Sequence, residues 1–147
     1  VLNNNIFKDC SCNNINLSGS EVGNNVFIDA ILSSTDFSKA EVVKSDFSEA
    51  TLSYGDFSKS EISESKFTNG IVNNVDFSKS EINGVDFSNA NLSSADFSNS
   101  KLTSVNFENA TLSYAKFNGA EFEDVNINGA VINSVSASGA KNSPFDM

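Results

Sequence analysis

TDFSKAEVVKSDFSEATLSYGDF, from Thr35 to Phe57, places an apolar residue at every fifth position: Phe37, Val42, Phe47, Leu52 and Phe57. Carried in both directions, the count runs from Leu2 to Ala137, and the only side chain on it that is not pure hydrocarbon is Cys12. In a chain that is 39% hydrophobic, chance gives such a run less than about once in 10¹¹ trials, so the period defines the architecture. Five matches neither the 3.6-residue period of a helix nor the two-residue alternation of an ordinary strand. It suits a coil that turns a corner every five residues, with the apolar residue inside. Two places before each apolar site stands a small residue, as at Ala30, Thr35, Ala40, Ser45, Ala50 and Gly55, which also points inward. The place before is often acidic (Asp36, Glu41, Asp46, Asp56), and the place after is mostly Ser, Thr or Asn, which supply turn chemistry.

Two further segments sharpen the pattern. Ala90-Asn91-Leu92-Ser93-Ser94 and Ala95-Asp96-Phe97-Ser98-Asn99 read as A(D/N)LXX once Phe is allowed for Leu. In this the chain resembles the pentapeptide-repeat family, and the resemblance covers nearly its whole length. It implies an all-β fold, a right-handed quadrilateral β-helix whose four five-residue sides make about seven turns of twenty residues. Wrapped that way, Phe7, Phe27, Phe47, Phe67, Phe87 and Phe107 share one side, and Phe37, Phe57, Phe77, Phe97 and Phe117 share the opposite one. Aliphatic residues fill the sides between. At about 4.8 Å per turn the rod is about 33 Å long.

The repeat forms one domain over residues 1–142, with residues 1–28 an irregular first turn. There Ile15 and Asn25 occupy sites for small residues, and Ile6, Val26 and Ile28 face outward. At the other end Asn142 falls on an apolar site, and Pro144 lacks the donor that continued pairing needs. The tail 143–147 is expected to fold back, with Phe145 covering Ile127, Ile132 and Ala137. That cap favours a monomer over a homodimer joined at the C-terminal ends.

Nineteen acids against nine lysines, with no histidine, give a net charge of −10. This argues against direct binding of nucleic acid or insertion at anionic membranes, and no apolar run approaches the ~18 residues of a membrane span. Cys10 and Cys12, without a second pair, are a weak metal signal. Their inward positions read as small buried thiols, which fits a reducing, cytoplasmic location. The chain begins at Val1, which leaves room for a removed targeting segment. Serines without a base, and no phosphate or calcium loop, point to no catalysis, no cofactor and no metal.

The outward positions carry what functional information there is. The side with Val42 and Ile62 holds eight acids (Glu21, Glu41, Glu61, Glu64, Glu81, Glu121, Glu123, Asp124) against Lys44, Lys101 and Lys141. The first phenylalanine side, with Asp46 and Asp86 among its acids, is also negative. The second balances Asp36, Asp56, Asp76 and Asp96 with Lys39, Lys59, Lys79 and Lys116. The fourth side has no charge and presents Ile31, Thr51, Tyr54, Ile71, Thr111, Tyr114 and Val131. Charge depletion with tyrosines suits the core of a protein interface. The expected function is a non-catalytic interaction or scaffold module with an unidentified protein partner. The alternative follows from the resemblance: the family's quinolone-resistance proteins imitate duplex DNA and occupy the DNA site of gyrase. The acidic candidates for that role are Glu21, Glu41, Glu61, Glu81, Asp46 and Asp86.

Overall fold

In a computed structural model, which describes residues 1–145, the chain winds into coils of twenty residues stacked in one parallel solenoid. One side is a seven-stranded parallel sheet in chain order: β1 Leu2–Asn3, β2 Glu21–Gly23, β3 Glu41–Val43, β4 Glu61–Ser63, β5 Glu81–Asn83, β6 Lys101–Asn106 and β7 Glu121–Asn126. Each strand pairs with the next at a shift of twenty, as in Leu2 with Val22, Val42 with Ile62 and Ile82 with Leu102. The other three sides are ladders of single parallel bridges at the same shift, such as Asp46 to Lys66, Ile31 to Thr51 and Asp56 to Asp76. Coils are numbered here from the first (1–20) to the seventh (121–140).

The corners explain the period. On three of the four sides the chain turns the corner after an apolar residue in a tight turn whose N–H donor is typically the next small residue, as in Ala40 to the Phe37 carbonyl at 3.1 Å and Gly55 to Leu52 at 2.9 Å, whereas on the strand side Ser45 N–H donates to Ser65 Oγ at 3.1 Å. The residue before the small one is left-handed, with φ near +60° at Ser34, Lys39, Glu49, Tyr54 and Lys59. The inward seat that follows is narrow and is filled mostly by Ala, Ser, Gly, Thr or Val. A Cβ on Gly70 would meet the carbonyl oxygens of Phe67 and Ala50 at 3.1 and 3.3 Å. Serines in that seat are satisfied locally, the Ser60, Ser80 and Ser100 hydroxyls donating to the Phe57, Phe77 and Phe97 carbonyls.

Inside, the two phenylalanine columns stack along the axis. Rings in the Phe7–Phe107 column lie 4.8–5.3 Å apart, and those from Phe37 to Phe117 lie 4.5–5.2 Å apart. Between columns the rings meet edge to face, for example Phe77 with Phe87 at 5.5 Å and 80°. That alternation uses both favourable aromatic geometries at once.

The first coil keeps the twenty-residue register, with bridges from Ile6 to Val26, Ser11 to Ile31 and Asn16 to Asp36. It differs in burial: Ile6 is 78% exposed and Phe7 only half-buried. Asn25, a large polar side chain in a seat for small ones, is fully paired there. Its Nδ2 donates to the Leu2 carbonyl at 2.6 Å, and its Oδ1 accepts from the Asn5 N–H at 3.0 Å. It ties the first coil to the second.

Cys10 and Cys12 differ from the expectation. They are half-buried and joined in a disulfide, not buried thiols. The reason is strand alternation: residues on either side of an outward Ser11 point to the same side. Their Cα atoms are 5.5 Å apart, within bonding range.

At the other end, Ala137 takes the place of a phenylalanine in the second column. Phe145 fills the space, its ring 5.0 Å from Phe117 and 5.8 Å from Phe122, and is 5% exposed. It covers less than expected, since Ile132 remains 43% exposed. The left-handed positions fall every fifth residue up to Gly139 and then break step at Asn142. The rest of the tail, Asp146 and Met147, lies outside the described residues.

Candidate interaction faces

On the uncharged side one ladder runs Ser11, Ile31, Thr51, Ile71, Asn91, Thr111, Val131. Its backbone is saturated by the coils above and below: Thr51 N–H donates to the Ala30 carbonyl at 2.9 Å, and Leu52 N–H to the Ile71 carbonyl at 2.7 Å. The side chains of the rungs are therefore free to face outward. Beside them runs a second row of small polar groups, with Ser53 Oγ donating to Asn73 Oδ1 at 2.7 Å. Among the described residues from the second coil onward, the exposed large apolar side chains are Ile31, Tyr54, Ile71, Tyr114 and Val131, which face outward on this side, and Ile132, an inward residue left uncovered at the C-terminal end. Tyr54 and Tyr114 are 67% and 64% exposed and sit at corners with φ of +62° and +63°. The same left-handed φ falls on lysine, glutamate and serine at the equivalent corners, so the coil sets the conformation, and what distinguishes these two corners is the exposed aromatic ring. Three coils separate them, about 14 Å.

The acidic sides are less uniform than their composition. Glu21, Glu41, Glu61 and Glu81 form an exposed in-register column, but the next rung is Lys101, before Glu121. Asp46 and Asp86 are half-buried, and each has an Oδ1 occupied in its own turn, accepting from the N–H of Ser48 at 2.9 Å and of Ser88 at 2.8 Å. The same bond recurs from Ser38, Ser58, Ser78 and Ser98 to the preceding aspartates. The Asp-Phe-Ser triplets are thus Asx turns, a local signal that a count of surface charges overlooks.

Lysine and glutamate columns flank the corner between the balanced and the acidic sides. A shallow groove of about 300 Å³ lies there, lined by Glu21, Lys39, Glu41, Lys59 and Glu61 among others. The ion pairs among the described residues run along the axis instead, Lys44 with Glu64 at 3.8 Å and Lys141 with Glu121 at 3.2 Å. The corner columns thus interact through solvent. Lys59→Glu is expected to lower stability by no more than about 1 kcal/mol, a difference that shrinks in high salt. A salt-independent loss in urea titrations would contradict that account.

Among the described residues no group of three or more His, Cys, Asp or Glu side chains is placed to hold a metal ion. No helix among them is long and apolar enough to cross a membrane.

Comparison with known proteins follows the geometry. A family model described as "Pentapeptide repeat region" matches residues 60–136, and one described as "Pentapeptide repeats (8 copies)" matches residues 30–69. No curated protein matches the chain significantly. Among solved structures, the chain is similar to a pentapeptide repeat protein from the Arabidopsis thaliana thylakoid lumen: 22% identity, 76% of this chain and 70% of that one covered, TM-score 0.54. It is also similar to a trypsin-treated variant of QnrB1, a plasmid-mediated fluoroquinolone resistance protein: 19% identity, 99% and 84% covered, TM-score 0.52. At these identities the likeness is one of fold.

Proposed function

Because this chain belongs to the pentapeptide-repeat family, we propose that it works as a non-catalytic interaction module, docking a protein partner on its uncharged side. One observation carries the reading: beyond the first coil, the large apolar side chains exposed on the flanks of the rod gather on the one side that has no charge, two corner tyrosines among them. Aromatic anchors in a charge-depleted surface are what interface cores are enriched in. The Cys10–Cys12 bond favours an oxidising compartment over the cytoplasm as the place of this work. The test is a pull-down from the source cell with tagged protein, scoring bands other than the bait itself. Ile71→Asp should lose the partner, whereas Glu61→Gln on the acidic side should keep it. Retention by Ile71→Asp together with loss by Glu61→Gln would reverse the assignment.

The acidic alternative draws on the exposed column from Glu21 to Glu81. A net −10 over about 33 Å is one charge per roughly 3.3 Å of axis, against about 1.7 Å for duplex DNA. Half the charge density, an interrupting Lys101 and aspartates engaged in turns make the mimic the weaker of the two. Inhibition of gyrase supercoiling by the wild type, lost in a Glu41→Gln, Glu61→Gln, Glu81→Gln variant, would place it first.

A further inference from the structure

We propose that Cys10 and Cys12 form a thiol–disulfide exchange site, resting as the disulfide and reduced by a protein that presents a pair of thiols. The site stands apart from the docking role of the uncharged side, and neither depends on the other.

Three observations point to exchange instead of stapling. First, the bond closes almost no loop. In the chain-entropy account a disulfide stabilises more the longer the loop it closes, and here a single residue, Ser11, separates the partners.

Second, the backbone already holds this corner. Cys10 N–H donates to the Phe7 carbonyl at 3.1 Å, and Cys12 N–H to the Ile31 carbonyl at 2.7 Å. The Cys10 carbonyl accepts from the Ile31 N–H at 2.8 Å. The next coil makes the same three bonds with no sulfur: Ala30 to Phe27 at 3.0 Å, Leu32 to Thr51 at 2.7 Å and Thr51 to Ala30 at 2.9 Å. Higher in the rod the equivalent pairs, such as Ala50 with Leu52 and Ala90 with Leu92, are hydrocarbon as well. This side is therefore built without a cross-link.

Third, the pair is within reach. Ala30 and Leu32 are 0% exposed, and the same seats stay closed through the sixth coil. Cys10 and Cys12 are only half-buried, between exposed Asp9, Ser11 and Asn13. Exchange requires a thiolate to approach one sulfur, and exposed disulfides are the labile ones for that reason.

The reaction balances between the two proteins. One thiolate of the partner bonds to one sulfur of the pair, the S–S bond breaks, and the other cysteine leaves as a thiolate that takes up a proton. The partner's second thiol, giving up its own proton, then attacks the mixed disulfide and releases the first cysteine. Two electrons and two protons have passed to the pair, and the partner departs as a disulfide. Run in reverse, the same steps let a disulfide-bearing partner restore the bond. Once it opens, the three backbone bonds at this corner keep the first coil in register.

The test uses the full chain, with dithiothreitol and thioredoxin as the dithiol probes. Free thiols are trapped by alkylation and counted by mass, and circular dichroism reads the fold. The untreated protein should carry no free thiol. Either dithiol should open the bond in the folded protein within about a hundredfold of its rate in the urea-unfolded chain, and oxidised glutathione should close it again. The reduced protein, and a Cys10→Ser, Cys12→Ser variant, should keep the spectrum of the oxidised one. Reduction slower than that limit, or two thiols that oxidised glutathione leaves unpaired, would overturn the proposal. A rod that unfolds on reduction would overturn it as well, since the bond would then be a staple.

Discussion

Phe77→Ala is expected to destabilise the protein by about 3–5 kcal/mol, read from urea unfolding. The ring is fully buried. It stacks on Phe57 at 5.2 Å and Phe97 at 4.8 Å, and meets the edges of Phe67 at 6.1 Å and Phe87 at 5.5 Å. Truncation leaves four rings facing a void that a rod of in-register coils is poorly able to close. Collapse along the axis would break the backbone bonds that hold the fourth coil to its neighbours, such as Phe77 N–H to the Asp96 carbonyl at 2.7 Å. Because each coil contacts only its neighbours, the void also weakens the coupling between the two halves, and the single transition should broaden or split. Phe7→Ala provides the internal comparison. That ring is half-buried at an open end and has one stacking neighbour, Phe27, so its loss should be well under half as large. A cost for Phe77→Ala below about 1 kcal/mol would mean that the columns do not hold the rod together.

Why the coil was readable and the surface less so comes down to how each residue is constrained. An inward seat admits one kind of side chain, so Phe37, Leu52 and Ala50 declare themselves by type. A corner constrains the backbone instead, and at Lys39, Glu49 and Tyr54 the left-handed conformation falls on residues that do not announce it as glycine or asparagine would. Asp46 and Asp86 were open to misreading for a related reason: a carboxylate in an Asx turn and one on a solvated face are the same letter. The disulfide was hidden because two inward positions read equally well as separate buried thiols, although alternation around Ser11 brings the two sulfurs to one side. The uncharged side was visible as an absence of charge. Its apolar exposure and its corner tyrosines became quantities only once the coil was built.

Phe145→Asp should open the C-terminal end, at a cost of at least about 3 kcal/mol to the last coil. Position 137 would continue the stack of the second column, but it is Ala137, and the ring that stands over Phe117 comes from the tail. At 5.0 Å from Phe117 it sits at the spacing of the column itself, though tilted by 40°. Its edge-on contact with Phe122 at 5.8 Å and 82° repeats the contact between columns lower in the rod. The tail is held in this position by Ser143, whose Oγ accepts from the Phe145 N–H at 3.1 Å. It cannot extend the sheet, because Pro144 offers no donor. A carboxylate at 145 would have to leave this seat for water, exposing Phe117 and Phe122 together. In a solenoid that damage stays local at first. Hydrogen exchange should therefore quicken across residues 121–141, including the Lys141 N–H that now donates to Ala120 at 2.8 Å, while the third and fourth coils keep their protection. Unchanged exchange in the seventh coil would show that the ring is a bystander and that Ile127, Ile132 and Ala137 close the rod without it.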